Sequence, residues 1–251
     1  MTAISRFLRP AIDAASRLAG MAVVPSWRLP TLPQEKRLRD IFRRYDINHV
    51  IDIGANEGQF YAFVRHNIGF QGRITSFEPL PNLAAILREK AAADGNWETR
   101  DCALGSAAGT LELNVAKNTV FSSALEPIKH DVTEGMNRVD SRISVRLSTL
   151  DIELKDAVGL DRTFVKIDTQ GYDLEVLRGA QRTLASVPAL QTEVSFRPLY
   201  HGSPDYTQSI EAFGQLGFAV SDFFLVAWDS DGTAFEFDCI MQRRRAEGEI
   251  S

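Results

Sequence analysis

Acidic and glycine residues cluster where the first apolar strand-like segment of the chain ends. Asp52 lies within the apolar run 49–53, which leads into Gly54, Asn56 and Gly58. Glycines at this position permit a tight turn and a close approach of the backbone to a ligand, and the free N–H groups of a helix that begins there bind anions. The spacing lacks the third glycine that is typical of a dinucleotide-binding turn. It therefore favours a ligand that joins a nucleoside to a small zwitterionic tail, with Asp52 attracting the ammonium group of that tail.

Two further acids follow apolar segments, and a carboxylate at the end of a strand is well placed to bind a nucleoside. Glu78 stands at the end of the second predicted strand, where it would accept hydrogen bonds from two vicinal ribose hydroxyls. Asp101 stands at the end of the third, where it would meet the amino group of adenine. The next residues, Cys102, Ala103 and Leu104, would form an apolar wall. Three acidic strand ends after a glycine turn together predict a nucleoside site.

The second half of the chain offers residues that could move a proton. Asp168 follows the apolar run 164–167 and is the first candidate for a general base or for a group that orients a substrate hydroxyl, although Asp is also a favoured helix cap. Lys166 lies two residues earlier, on the same side of the strand, so we expect an ion pair that keeps Asp168 ionised. Glu193, in the next strand, and His201, in the loop after it, are the other candidate bases. No dense acidic spacing accompanies them, so we predict no bound metal ion.

Strands alternate with helices from residue 48 onward, which predicts how these side chains are positioned. Apolar runs predict strands at 49–53, 73–77, 97–102, 109–115, 164–167, 189–194, 218–226 and 234–241. Helical spacing predicts helices at 34–45, 57–68, 81–93, 172–186 and 206–216. This order, with its last two strands joined by an Asp/Gly turn, predicts an α/β fold: a doubly wound, mostly parallel sheet with a C-terminal antiparallel hairpin.

The remaining sequence flanks or interrupts this domain. Residues 3–19 predict an amphipathic helix within an N-terminal helical extension, residues 1–46, and the domain itself takes residues 47–245. That helix is more typical of a packing cap or a dimer arm than of a membrane-surface anchor, because its basic face is small. Residues 117–142 are polar and irregular and predict a long loop or lid. The basic tail, residues 242–245, predicts a solvated end.

Composition narrows the class of protein. The chain has 251 residues, 44% hydrophobic and 24% charged, which excludes a disordered or collagen-like protein. Its net charge of −5 argues against a nucleic acid partner. No apolar run is long enough for a membrane helix, and no signal-peptide core is evident. The two cysteines, Cys102 and Cys239, lie in apolar stretches and predict buried thiols in a reducing compartment, hence a cytoplasmic protein.

Four segments carry a resemblance to a known family. They are Asp52-Ile-Gly-Ala-Asn-Glu-Gly58, Phe77-Glu-Pro79, Ser122-Ser123 and Val165-Lys-Ile-Asp168-Thr-Gln-Gly171-Tyr-Asp-Leu-Glu-Val-Leu-Arg-Gly-Ala180. With them the chain resembles the FkbM family of S-adenosylmethionine-dependent methyltransferases over residues 48–242. The last segment is the most specific to that family.

The resemblance implies a fold, a cofactor and an activity. The fold would be the Rossmann-like, seven-stranded sheet of class I methyltransferases, and the cofactor would be S-adenosylmethionine. The activity would be O-methylation of sugars, polyketides or other hydroxylated metabolites. The resemblance places Phe77 beside the cofactor. It also places Ser122 and Ser123, which could instead only form a turn, and Gln170 beside the acceptor. Many relatives carry Glu at the last of these positions, which leaves open whether a further carboxylate acts there.

The leading hypothesis is therefore an S-adenosylmethionine-dependent O-methyltransferase that acts on a small metabolite or a saccharide. Two alternatives stay open: a nicotinamide-dependent oxidoreductase, and a non-catalytic relative that binds the cofactor. The oxidoreductase is favoured by the fold, which both classes of enzyme share, and by Glu78, an acid placed to bind ribose hydroxyls. The missing third glycine of the turn argues against it. The sequence assigns no particular acceptor and no oligomeric state.

Overall fold

A computed structural model gives the structure of residue 20 and of residues 23–129 and 135–244. The amphipathic helix predicted at 3–19 lies outside these described residues. Within them, no helix combines the length and the apolar character that a membrane-spanning segment needs.

Contacts along the chain separate two units, residues 1–39 and residues 40–251. In the first unit, the fully buried Glu35 pairs with Arg28 at 2.5 Å and accepts a hydrogen bond from the hydroxyl of Thr31 at 2.9 Å. A boundary between extension and domain at residues 46 and 47 stays a prediction.

The second unit is built on a seven-stranded sheet, which confirms the predicted fold class. Its strands are β1 (His49–Ile53), β2 (Arg73–Phe77), β3 (Trp97–Arg100), β7 (Thr163–Ile167), β8 (Ala189–Ser195), β9 (Phe218–Trp228) and β10 (Ala234–Arg243). Their order is β3-β2-β1-β7-β8-β10-β9. The first five strands in this order are parallel, and β10 runs antiparallel to both β8 and β9. The terminal hairpin is therefore confirmed, and β10 begins at the edge where the parallel strands end.

Helices cover both faces of this sheet. They are α1 (Leu32–Arg44), α2 (Gln59–Ala62, continued by a π-helix at Phe63–Ile68), α3 (Pro81–Asp94), α4 (Leu150–Glu153), α5 (Asp173–Arg178), α6 (Gln181–Ser186) and α7 (Tyr206–Gln215). The ring of Phe164 in β7 packs against Phe42 and Phe60, with centroids 5.2 and 6.5 Å apart. Its neighbour Val165 points to the other face, because side chains alternate along a strand, and joins a core cluster with Leu184 and Phe213.

A second, three-stranded sheet corrects the sequence prediction. It consists of β4 (Ala103–Leu104), β5 (Gly109–Ala116) and β6 (Val139–Ser148), in the order β4-β6-β5. The segment 109–115 is a strand as predicted, but it pairs with β6 and not with the large sheet. The predicted loop 117–142 is wrong over its last four residues, which begin β6.

The helix predicted at 172–186 is two helices, α5 and α6, interrupted at Gly179 and Ala180. A Cβ atom on Gly179 would lie 1.9 Å from the carbonyl oxygen of Gly105, so the backbones touch at this point. Only glycine permits that approach. The helix is therefore interrupted where it passes Gly105, the residue that follows β4.

The predicted solvated end is also corrected. Strand β10 continues to Arg243, whose guanidinium donates hydrogen bonds to the carbonyl oxygens of Leu184, Val187 and Leu216. Arg243 therefore ties the last strand to the ends of two helices. The two cysteines are buried free thiols, as predicted.

Candidate active site

The glycine turn after β1 fixes the geometry of the site. The N–H groups of Gly54 and Ala55 both donate to the carbonyl oxygen of Phe77, each at 3.0 Å. Gly54 has a φ of +82°, and a Cβ atom there would lie 1.9 Å from the carbonyl oxygen of Asp168. The turn thus lies directly against the end of β7, and it can do so because residue 54 has no side chain.

Glu78 lies at the end of β2 and lines the cavity beside this turn. One carboxylate oxygen accepts the N–H of Asn56 and the other accepts the N–H of Leu80, each at 2.8 Å. Burial raises the pKa of Glu78 to about 7, against the effect of these two backbone donors. Each carboxylate oxygen has a second lone pair, so Glu78 can still accept hydrogen bonds from two ligand hydroxyls.

Asp52 lies beneath the turn and is fully buried. The hydroxyl of Ser76 donates to its Oδ2 at 3.4 Å, and Lys166 Nζ lies 4.0 Å from its Oδ1. Among the described residues, no hydrogen-bond partner reaches that Oδ1. Burial raises the pKa of Asp52 to about 6, although Lys166 acts in the opposite direction. An additional donor at Oδ1 would satisfy this buried charge.

Asp168 follows β7 and forms the predicted ion pair. Lys166 Nζ donates to its Oδ2 at 2.8 Å, and Gln170 Nε2 donates to its Oδ1 at 3.0 Å. Burial by itself would lower the pKa of Lys166, but Asp168 and Asp52 raise it above its usual range. A protonated lysine therefore faces both acids, and each oxygen of Asp168 already has a donor.

Gln170 connects two strands of the site. Its Nε2 also donates to Glu193 Oε2 at 2.9 Å, so one amide group bridges Asp168 and Glu193. The hydroxyl of Tyr200 donates to Gln170 Oε1 at 2.9 Å. Gln170 has a φ of +53°, and the hydroxyl of Ser123 holds its carbonyl oxygen at 2.7 Å. These contacts fix the orientation of the amide.

Glu236, at the start of β10, completes a group of acids. It is 7% exposed, and it lies on the same side of the sheet as Glu193 on the adjacent strand. The hydroxyl of Ser195 donates to Glu236 Oε1 at 3.3 Å. Burial, and next the charge of Asp168, raises the pKa of Glu193 well above its usual range and that of Glu236 to about 7.

These groups line one cavity of about 440 Å³, within the range of small-molecule sites. Its polar floor comes from the ends of β1, β2, β7 and β8 and the start of β10. Its apolar walls come largely from the small sheet, the segment after β5 and the terminal hairpin. The wall residues are Cys102, Ala103, Leu104, Leu111, Leu113, Val120, Phe121, Ala124, Met136, Val226, Ala227 and Phe235.

Most of the predicted site residues lie in this cavity. Those that line it are Gly54, Asn56, Phe77, Glu78, Cys102, Ala103, Ser122, Asp168, Gln170 and Glu193. Ser122 also accepts the N–H of Ala116 at 3.1 Å, and the buried Ser123 lies behind the cavity wall, where it binds Gln170.

Four further predicted residues do not line the cavity, and one of them, Asp52, is fully buried beneath the glycine turn. Asp101 is exposed and pairs with Arg88 of α3. His201 is exposed, and its backbone N–H donates to the carbonyl oxygen of Glu126 at 2.8 Å. Gly58 is buried, and a Cβ atom there would meet Leu87 and Trp97 at 3.1 Å, on the side of the helices.

Sequence reasoning missed Glu236 and Tyr200. Glu236 belongs to the run Phe235-Glu-Phe-Asp-Cys-Ile, and an acid inside an apolar strand is a signal for a buried functional charge. Tyr200 gives no comparable signal, because only the loop after β8 brings it to Gln170. Among the described residues, no group of three or more His, Cys, Asp or Glu side chains is arranged to hold a metal ion.

Comparisons with known proteins identify the family. A family model described as the methyltransferase FkbM domain matches residues 52–220. Methyltransferase sdnD of Sordaria araneosa is 30% identical over 155 residues, which are 52% of this chain and 59% of that protein. The 2-O-methyltransferase NoeI of Sinorhizobium fredii is 27% identical over 162 residues, 61% of this chain and 65% of that protein. The chain thus covers less than two thirds of the length of each relative.

A solved structure agrees in fold. Methyltransferase FkbM from Methylobacillus flagellatus KT superposes with a TM-score of 0.51 at 15% identity, over 96% of this chain and 60% of that one. The family takes its methyl group from S-adenosylmethionine. Since the family model spans most of the chain, from the glycine turn into β9, this protein belongs to the FkbM methyltransferase family.

Proposed function

We propose that this chain transfers the methyl group of S-adenosylmethionine to a hydroxyl group of a small metabolite or a saccharide. The observation that carries the proposal is the position of Asp168. This acid, held by Lys166 and Gln170, lines the same cavity as the glycine turn and Glu78. A group that can orient a hydroxyl therefore lies beside groups that suit a nucleoside.

The residues at the first two strand ends fit the cofactor. Gly54 and Ala55 of the turn line the cavity, and Glu78 retains two acceptor positions for ribose hydroxyls. Asp52 is fully buried beneath the turn and does not line the cavity, so it would favour a ligand ammonium group through its charge; its Oδ1 has no hydrogen-bond partner among the described residues. Cys102 and Ala103 would contact the flat face of the base.

When bound, the cofactor supplies a methyl group on a positively charged sulfur. The protein's part is to place the acceptor oxygen in line with that methyl group and to accept its proton. Asp168 would accept a hydrogen bond from the acceptor hydroxyl, and Lys166 and Gln170 would keep its carboxylate in one orientation. The apolar wall residues would exclude water from the cleft.

Two features support a hydroxyl acceptor. Ser122 and Gln170 line the cavity and can bind further hydroxyls of the acceptor. The relative NoeI is described as a 2-O-methyltransferase. His201 and Asp101 have no place in this proposal, because they lie outside the cavity.

Calorimetry with S-adenosylhomocysteine tests cofactor binding. We expect the wild-type protein to bind it and Glu78→Gln to bind it at least about tenfold more weakly, because a charged hydrogen-bond acceptor is lost. Glu112→Gln is the matched control, since Glu112 is exposed on β5 and the chemical change is the same. Wild-type protein that does not bind the ligand would contradict the proposal.

Transfer of a labelled methyl group from S-adenosylmethionine to a panel of saccharides and hydroxylated metabolites tests the reaction. We expect Asp168→Asn to lose transfer by a factor of about 10² or more while it still binds S-adenosylhomocysteine. If Asp168→Asn transfers methyl groups at the wild-type rate, Asp168 does not orient the acceptor.

Binding and transfer assays on the same protein also distinguish the methyltransferase from an oxidoreductase and from a non-catalytic relative. An oxidoreductase would bind NADH in a fluorescence titration, and we expect no binding because the third glycine of a pyrophosphate turn is missing. A non-catalytic relative would bind S-adenosylhomocysteine and transfer no methyl group to any member of the panel.

A further inference from the structure

Two carboxyl groups on neighbouring strands line the cavity. Glu193 is in β8 and Glu236 is in β10, and the antiparallel register places Glu236 opposite Ser195, two residues beyond Glu193. Side chains two residues apart lie on the same face of a strand, so both acids reach the same side of the sheet. Two largely buried carboxyl groups on neighbouring strands repel each other when both are charged, which favours one proton on the pair.

The surroundings of the pair are mainly acidic. Asp168 follows β7, Asp173 begins α5, and Asp238 lies opposite Glu193 in β10. Lys166, in β7, is the cation that acts on Glu193, and Tyr200 lies nearby on the loop after β8. With several acids facing one ammonium group, the pair cannot readily carry two charges, and burial acts in the same direction.

We propose that Glu236 is a catalytic residue and that it forms with Glu193 a carboxyl pair that holds one proton and receives a second from the acceptor hydroxyl. The inference rests on the proposed function, because it names the group that takes the proton. Asp168 is left with the orienting role, since Lys166 and Gln170 hold its carboxylate in place beside the acceptor.

Methyl transfer forms one bond to the acceptor oxygen and breaks two others. The acceptor oxygen uses one of its lone pairs to form the bond to the methyl carbon, and the bond from that carbon to sulfur breaks with its electrons remaining on sulfur. The O–H bond of the acceptor breaks with its electrons remaining on oxygen, and the proton moves to the pair, which becomes neutral. A second cavity of about 10 Å³ is lined by the same two acids together with Ser195 and Ser209. Its size suits one water molecule, through which the proton can leave.

Carbon-13 NMR of protein labelled at the glutamate carboxyl carbons tests the shared proton. Glu193→Gln and Glu236→Gln identify the two resonances by their loss, and Glu112→Gln is the exposed control. We expect the two resonances to titrate as a coupled pair with one step near pH 7. In Glu236→Gln the midpoint of Glu193 should fall by about one pH unit or more. Two independent midpoints in the usual range of glutamate, or a Glu193 midpoint that does not change in Glu236→Gln, would overturn the proposal.

The pH dependence of methyl transfer tests the catalytic role, with the acceptor that the panel identifies. We expect Glu236→Gln to lower kcat by about 10²-fold or more and to move the acidic limb of the profile, while its affinity for S-adenosylhomocysteine stays within about twofold of wild type. Glu236→Asp should recover part of the rate, because a carboxyl group is restored. A Glu236→Gln protein with the wild-type rate and profile would refute the role. Wild-type protein that binds no S-adenosylhomocysteine would refute the proposed function instead, and the NMR result would still stand.

Discussion

Asp52 carries a buried charge that should weaken the folded protein at neutral pH. Its pKa is about 6 in the folded protein, against 3.8 for an unperturbed aspartate, and burial is the main cause. A pKa that is raised by folding contributes stability at low pH, which is lost as the pH rises toward the folded pKa. The difference of about 2.2 pH units corresponds to about 3 kcal/mol of unfolding free energy lost once the pH exceeds 7.

Asp52→Asn removes this titration and keeps a side chain of the same shape. The asparagine oxygen can still accept the hydroxyl of Ser76. We therefore expect the variant to gain stability relative to wild type as the pH rises, with the difference growing from about 1 kcal/mol at pH 4.5 to about 3 kcal/mol above pH 7. Buried acids that do not interact with Asp52 titrate equally in both proteins, so their contributions cancel. Loss of the Asp52 charge also lowers the pKa of Glu78, which adds to the difference in the same pH range.

Urea denaturation of both proteins between pH 4.5 and pH 8 measures this difference. A difference that stays constant over this range, or that shrinks as the pH rises, would refute the assignment of a raised pKa to Asp52. The same variant should bind S-adenosylhomocysteine about tenfold more weakly or worse, because it lacks the charge that attracts the ligand ammonium group. A variant that is more stable and also binds normally would show that the charge of Asp52 has no role in binding.

Further predictions concern the turn, the cofactor site and the last strand. Gly54→Ala should lower the unfolding free energy by about 3 kcal/mol or more, because its Cβ atom would meet the carbonyl oxygen of Asp168; an alanine tolerated in thermal unfolding would contradict that contact. Binding of S-adenosylhomocysteine should weaken below pH 7 by up to about tenfold per pH unit, since protonation of Glu78 removes an acceptor, and Glu78→Gln should flatten this dependence in calorimetry. Arg243→Met should lower the unfolding free energy by about 3 kcal/mol, because three hydrogen bonds to carbonyl oxygens are lost. Urea denaturation measures this loss. The control Arg244→Met, at an exposed position, should change the unfolding free energy by less than about 0.5 kcal/mol.

The large sheet and the strand-end site could be predicted because their signals are local. Buried parallel strands appear in the sequence as short apolar runs. A glycine turn directly after one of them indicates the edge of the sheet at which a ligand binds. Asp52, Glu78 and Asp168 could be assigned to one edge for this reason. The ion pair of Lys166 with Asp168 follows from a spacing of two along a strand.

The small sheet was harder to predict because one of its strands begins with polar residues. Strand β6 starts Val-Asp-Ser-Arg, and only then do Ile143, Val145 and Leu147 alternate with polar residues. The first half of the strand therefore resembles a loop, although the second half carries the period of two that marks a half-buried strand.

Side-chain partners that are distant in sequence could not be predicted. Asp101 turns away from the cavity because Arg88 on α3 offers it a partner. Glu236 reaches the site because β10 pairs with β8 in a particular register, which no local pattern specifies. Arg243 is structural because two helix ends bring their carbonyl groups to one place.

The chain leaves the large sheet after β3 and rejoins it at β7, and this excursion forms much of the cavity wall. The small sheet and the segment after β5 supply Leu111, Phe121, Ser122 and Met136, while none of their residues forms a strand of the large sheet. Asp168, Glu193 and Glu236 lie in or directly after strands of the large sheet, so the acids and much of the cavity wall are encoded in separate stretches of sequence. Under the proposed function, substitutions in the excursion would change the shape of the cavity without moving these acids.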